Sequence, residues 1–251
     1  MSRNPLEMDG AGDRFQAETS YHPDNLKGYS LDWSRLPETY KHYEAPLSII
    51  TLPAPELPDL PSLWTVLQNR RSRRSYNAAK TLSLNELSAL LWATQGITAK
   101  QGEFALRTSP SAGALYPVET YLYARAVQGL KQGIYHFRPY SFDLEFLRDG
   151  DFSRPLAEAL LGQSMVMKAQ VTFIWSSVVE RAKWKYRQRA YRYIYLDAGH
   201  IGQNLYLAAE ALKLGVCAIG AFFDNLVNSI IGVDGIDETV IYIATAGWPL
   251  R

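Results

Sequence analysis

The stretch from Asp197 to Gly247, DAGHIGQNLYLAAEALKLGVCAIGAFFDNLVNSIIGVDGIDETVIYIATAG, decides the fold class. Ile201, Leu205, Ala208 and Leu212 recur with helical spacing and share one face, with Gly215 read as the left-handed residue that closes the helix. VCAIGAFF then reads as a strand. A short helix follows, with Asp224 as its N-cap and Gly232 at its end, and VIYIATAG is the last strand. Working outward, VTFIWSSV at 171–178 is another strand. ETYLYARA, GIYHF and FDLEFL are strand-like runs joined by Gly and Pro turns. SLWTVLQNR and SLNELSALLWATQG read as helices, the second with Ser83 and Glu86 at capping-box spacing and Gly96 at its exit. Helices and strands mix without repeating as βαβ units, so the fold class is α+β.

Composition changes near position 60. Eight prolines from Pro5 to Pro61, interleaved with Tyr21, Tyr29, Trp33, Tyr40 and Tyr43, preclude long helices and central strands while offering aromatic area to bury. Residues 1–60 therefore read as an extended Pro/Tyr-rich arm laid over a body or a partner subunit, and residues 61–251 as the main domain. Lys plus Arg number 26 against 25 Asp plus Glu, a net charge of +1, which supplies no field for nucleic-acid binding. The single cysteine, Cys217, excludes an intrachain disulfide and a thiolate cluster, and its apolar run reads as packing rather than nucleophile. His22, His42, His136 and His200 do not fall in ligand spacing, so no metal site is expected. His200 reads as a core histidine. The N-terminus lacks the apolar run of a signal, and no segment reaches the roughly 18 apolar residues of a membrane span, so a cytoplasmic protein is expected.

Three constellations carry chemistry. In NRRSRRSY, Arg70, Ser72 and Arg74 alternate in a segment that, if extended, turns all three toward one phosphate-sized anion; a solvated basic turn is the plain alternative. In RTSPSAGALYP, Pro110 stiffens a loop whose small residues, Ser111, Ala112 and Gly113, admit a flat ligand to the backbone. In ERAKWKYRQRAY, continued helix would put Arg181, Lys185 and Gln188 on one face and Trp184, Arg187 and Tyr191 on the next, with Lys185 or Tyr186 available for proton transfer; an aromatic–arginine subunit interface is the alternative.

Together, and in this order, these segments resemble the FMN-dependent nitroreductase-like family, and within it the branch that oxidises azolines (thiazolines and oxazolines) in peptide natural products. The resemblance runs from about Leu63 to Arg251. It implies a nitroreductase-like α+β domain over 61–251, a central mostly antiparallel sheet flanked by helices, and FMN bound at a homodimer interface. It places Arg70, Ser72 and Arg74 at the phosphate and pyrimidine side. Pro110, Ser111, Ala112 and Gly113 fall near the ring, with Ala114 where many nitroreductases have asparagine. Ile219, Gly220 and Ala221 form the loop that aims a backbone N–H at flavin N5, and Arg251 is the terminal basic residue for the phosphate. The adjacent Lys185 and Tyr186 match the pair that, in the azoline branch, removes the ring proton while hydride passes to flavin.

The expected function is FMN-dependent dehydrogenation of an azoline-type peptide or small molecule. The alternatives are NAD(P)H-dependent reduction of nitro compounds or quinones, and a flavin-binding or interaction protein without turnover.

Overall fold

The computed structural model describes residues 10–23, 30–55, 60–101 and 104–250. In chain order the elements are α1 (Ala11–Glu18), β1 (Ser48–Thr51), α2 (Leu63–Asn69), α3 (Leu84–Gln95), β2 (Ile97–Gln101), β3 (Phe104–Arg107), β4 (Val118–Ala124), β5 (Gly133–Arg138), β6 (Asp143–Asp149), α4 (Ser153–Ala159), β7 (Val171–Val178), α5 (Val179–Tyr186), α6 (Ala190–Ala211), β8 (Gly215–Ile219), α7 (Asp224–Ile231) and β9 (Glu238–Gly247). Seven strands form one sheet in the order β1-β6-β5-β4-β7-β9-β8, every neighbouring pair antiparallel, and β2–β3 is a separate hairpin.

Strand alternation sorts the core into two layers. From β4, Leu122 joins a cluster with Leu87, Leu90, Leu91, Ile201 and Leu205 under α3 and α6. Its neighbours Tyr121 and Tyr123 face the other way, into a cluster with Leu156, Val227 and Ile231 under α4 and α7. The sheet is thus covered on both faces, and among the described residues no helix is long and apolar enough to cross a membrane.

Local signals behave as their chemistry requires. Ser83 Oγ accepts from the Glu86 N–H at 3.1 Å while Glu86 Oε2 accepts from the Ser83 N–H at 2.8 Å, the reciprocal capping box. Gly232 ends α7 in the left-handed region, φ 81°.

Three expectations are corrected. The long helix begins at Ala190 rather than near Asp197, because Ala190, Ile194, Ala198, Ile201, Leu205 and Ala209 form one buried stripe. Lys213, not Gly215, takes the left-handed conformation after it (φ 60°). Gly215 belongs to β8, where a Cβ would lie 3.0 Å from Arg73 Cβ and 3.4 Å from Pro249 Cβ, so close packing is what selects glycine there. The N-cap of α7 is Phe223, and Asp224 stands in the first turn, where its charge suits the helix dipole.

The described part of the arm lies on the chain's own body. Trp184 Nε1 donates to Asp32 O at 2.7 Å, Arg181 Nε to Glu38 O at 2.6 Å and Arg192 Nε to Thr19 Oγ1 at 2.6 Å. Ser48–Thr51 pairs with β6 as the outermost strand of the sheet. At the opposite edge Ser72 bridges Val216, and the Arg73 N–H donates to Val216 O at 2.8 Å, so Arg70–Arg74 runs along β8.

Candidate functional site

Backbone strain marks the first half of the site. Gly113 (φ 64°), Ala114 (φ 53°) and Tyr116 (φ 46°) all sit in the left-handed region, two of them without glycine's licence. The loop is over-determined by polar contacts. Ser111 Oγ donates to Asp197 Oδ2 at 2.6 Å, the Ala112 N–H donates to Asp197 Oδ1 at 3.1 Å, and the Tyr116 N–H donates to Ser111 Oγ at 3.0 Å. Asn204, about two turns along α6 on the same face as Asp197, ties Ser109 Oγ (3.0 Å) to Ala93 O (2.9 Å). Burial pushes the Asp197 carboxyl up, against the pull of its Ser111 and Ala112 hydrogen bonds.

Lys185 and Tyr186 come down on that loop. A Cβ at Gly113 would fall 2.6 Å from Tyr186 Oη and 2.9 Å from Lys185 Nζ, so both polar ends occupy the space a side chain would need. Tyr186 is steadied by an edge-on contact with Tyr193, ring centroids 4.7 Å apart. Desolvation, then the charges of Tyr193 and Asp197, raise its pKa, which keeps the phenol protonated. The helix carrying the pair stops at once, because Arg187 adopts φ 51°, ψ −135°. Gln188 and Tyr191 therefore leave the helical faces expected of them. Arg181 also departs from expectation: it turns inward, buried against Glu119, and is no cation of the site.

The second half lies along β8. Ser72 Oγ is 3.0 Å from Tyr206 Oη, and the Arg70 guanidinium lies 5.3 Å from the Tyr206 ring centroid. The four arginines differ in their partners: Arg73 turns to Glu210 at 3.8 Å, Arg71 bonds backbone carbonyls, and Arg70 and Arg74 pair with no described carboxylate. Ile219 is buried in the core, whereas Gly220 and Ala221 are exposed; a Cβ on Gly220 would meet nothing within 4 Å. Two guanidiniums without a described carboxylate partner, in the segment that carries the Ser72 hydroxyl and runs along β8 toward an open backbone loop, are a donor set that fits a phosphate ester carrying a flat ring. Cys217 is buried and its thiol pushed up in pKa by desolvation, as expected of a packing residue. Arg251 lies outside the described residues. His200 is exposed on α6, which overturns its assignment to the core.

Asp197 and Tyr206 anchor the two halves from opposite sides of α6. Nine positions separate them, about two and a half turns, so they point half a turn apart. Sequence reading singled out neither residue for a site. The signal was present for Asp197, a carboxylate on the buried stripe of a helix, a position that requires partners.

The model of the nitroreductase family matches residues 67–248, and the chain belongs to that family of flavin-dependent oxidoreductases. Its relatives divide between two kinds of protein. A protein of Methanocaldococcus jannaschii described as a nitroreductase is 37% identical over 180 residues, 71% of this chain and 89% of its own length. The trifolitoxin-processing protein TfxB of Rhizobium leguminosarum bv. trifolii is 30% identical over 172 residues, 66% of this chain but only 43% of its own length. Among solved structures, a nitroreductase from Anabaena variabilis superposes with a TM-score of 0.77 at 30% identity, covering 93% of this chain and 45% of that one. Two more distant structures share the fold. A nitroreductase from Desulfovibrio desulfuricans in complex with FMN has a TM-score of 0.54 at 18% identity, over 76% of this chain and 88% of its own. The Escherichia coli microcin synthetase McbBCD complex with truncated pro-MccB17 bound gives 0.62 at 19%, over 94% and 86%.

Proposed function

We propose that this chain is an FMN-dependent dehydrogenase of an azoline-type ring in a peptide or small molecule, acting as a homodimer. The observation that carries the reading is the placement of Lys185 and Tyr186 against the strained Gly113 loop. Arg70, Ser72 and Arg74 would hold the phosphate of FMN, Pro110, Ser111, Ala112 and Gly113 would line its ring, and the Ile219–Gly220–Ala221 loop would face N5. Bound FMN supplies a two-electron acceptor that takes hydride from the substrate carbon. The chain's own residues then have one remaining task, to move the ring proton. Tyr186, a phenol at rest, would first give its proton to solvent; the phenolate so formed, favoured by the Lys185 ammonium 5.5 Å from its ring centroid, takes the proton from the ring and returns to the phenol.

The two halves on opposite sides of α6 support a dimer, since one chain does not wrap a single flavin from both. Exposed apolar side chains flank them: Leu63 and Trp64 on α2, Tyr195 and Leu196 on α6, Phe223 and Leu226 beside or on α7. A second copy would cover that surface and bring its Gly113 loop to the Arg70–Arg74 segment.

A second reading, NAD(P)H-dependent reduction of nitro compounds or quinones, is favoured by the nitroreductase description of the M. jannaschii relative, 89% of whose length this chain spans. One experiment separates the two. The purified protein's visible spectrum and its released cofactor are recorded, and the sample is then titrated anaerobically with NADH, with NADPH and with a thiazoline-4-carboxamide. FMN bleached by the thiazoline and indifferent to both nicotinamides supports the dehydrogenase; the reverse pattern overturns it.

A further inference from the structure

A second cavity lies apart from the flavin half-sites, between residues 40–42, the end of β3 and the β5–β6 turn. Its volume is about 260 Å³, below the roughly 300–1,000 Å³ of drug-sized sites, and its walls include Tyr40, Lys41, Arg107, Glu119, Arg138 and Tyr140. The Tyr40 and Tyr140 rings pack against each other, centroids 5.2 Å apart and tilted by 56°, and give the cavity an aromatic wall. Lys100 sits over the outer ring at 4.5 Å.

The charges around this cavity are satisfied, with one exception. Lys41 pairs with Glu238, Arg138 forks onto Asp143 with two contacts of 2.6 Å, and Glu119 is taken by Arg181 and His136. Arg107 pairs with no described carboxylate. It is 7% exposed, gives one N–H to Gln95 Oε1 and stacks at 4.5 Å on Tyr116, while its buried Nε–H has no acceptor. Burial lowers its pKa even with the Glu119 charge acting on it. A buried guanidinium with an orphaned donor, whose nearby carboxylate Glu119 is already bonded to Arg181 and His136, is a costly arrangement unless an acceptor arrives from outside.

We propose that this cavity is a binding site for a small aromatic carboxylate, its ring laid against the Tyr40–Tyr140 pair and its carboxylate on Arg107. The anion supplies the acceptor that the Arg107 Nε–H lacks, and the tyrosine pair offers a flat apolar face.

The test is calorimetric titration of the FMN-saturated protein with benzoate and with its neutral isostere benzamide, repeated on Tyr140→Ala and Arg107→Gln. Tyr140 is 57% exposed, so its truncation tests the aromatic wall without endangering the fold. The expected result is one benzoate per chain, benzamide weaker by about tenfold or more, benzoate weakened about tenfold by Tyr140→Ala and lost in Arg107→Gln, with the flavin's visible band unmoved. Absence of saturable benzoate binding overturns the proposal, as does equal affinity for benzamide. So does benzoate binding that shifts the flavin band and ignores Tyr140→Ala, since that places the ligand at the flavin.

Discussion

Replacing Gly113 by alanine tests the juxtaposition on which the proposed chemistry rests. The new methyl would stand 2.6 Å from Tyr186 Oη, 2.9 Å from Lys185 Nζ and 3.4 Å from Lys185 Cδ. These are the far ends of half-buried side chains, so they swing aside rather than forcing the backbone apart. Alanine at φ +64° adds a conformational cost of about 1 kcal/mol, which for a chain of this size lowers the melting temperature by about 2–4 °C. The effect on catalysis is larger, because displacing a proton-transfer group by about 1 Å costs on the order of 100-fold in rate. The assay is anaerobic stopped-flow bleaching of the FMN-loaded variant by a thiazoline-4-carboxamide, after its flavin content and melting temperature have been matched to those of the parent. Near-native flavin content with bleaching slowed on the order of 10- to 100-fold is expected. A folded, flavin-loaded variant that bleaches at the parental rate would refute the placing of Lys185 and Tyr186 at the reacting centre.

Three further outcomes are expected. Arg74→Ala removes an unpaired guanidinium and should weaken FMN retention about 10- to 100-fold in fluorescence titration, whereas Arg73→Ala, whose partner is Glu210, should leave it within about twofold. Tyr186→Phe keeps the ring against Tyr193 but removes the hydroxyl, so flavin affinity should hold while substrate-driven bleaching slows; an unchanged rate would end the proton-transfer role. The buried His136 places both ring nitrogens on carboxylates, Nδ1 on Glu145 at 2.8 Å and Nε2 on Glu119 at 3.0 Å. Despite desolvation, those two carboxylates raise its pKa above the ordinary 6.5, while Arg181 and His136 hold Glu119 down to about 2 against its own desolvation. Its contribution to stability is therefore complete below pH 6.5 and lost as pH rises through the raised value. The Glu119 contribution is complete above pH 4.5 and lost as pH falls toward 2. Urea denaturation of His136→Gln should show a deficit of about 3 kcal/mol near pH 6 that narrows in alkali, and a deficit independent of pH would contradict the imidazolium assignment.

What was legible in the sequence was what short-range chemistry determines. The Ser83–Glu86 box is settled within four residues, and the extended run of residues 72–74 along β8 needs only its own backbone pattern to be read. The errors fall where two local rules compete or where the deciding partner is remote. Gly215 looked like a helix terminator because glycine best tolerates positive φ, yet Lys213 bears that conformation and the glycine answers to Arg73, far away in sequence. The aromatic and basic run before Asp197 hid the Ala190–Ile194 start of the buried stripe. Strand β1 went unread inside a proline-rich arm, since SIIT becomes a strand only by pairing with β6. Glu119, His136 and Glu145 come together across three strands, and the clue was a charged residue at an inward position of each.

The same β1 has a bearing on the molecule's fate outside its active site. Four residues of the arm, Ser48–Thr51, lie against Phe146–Asp143 and close the β6 edge of the sheet. An uncovered β6 would present ladder donors and acceptors beside Leu144 and Phe146, a template on which strands of other molecules can add. With β1 in place, the free edge on that side of the sheet is a four-residue strand rather than the seven-residue β6, and a very short edge is one of the ways sheets avoid pairing edge to edge.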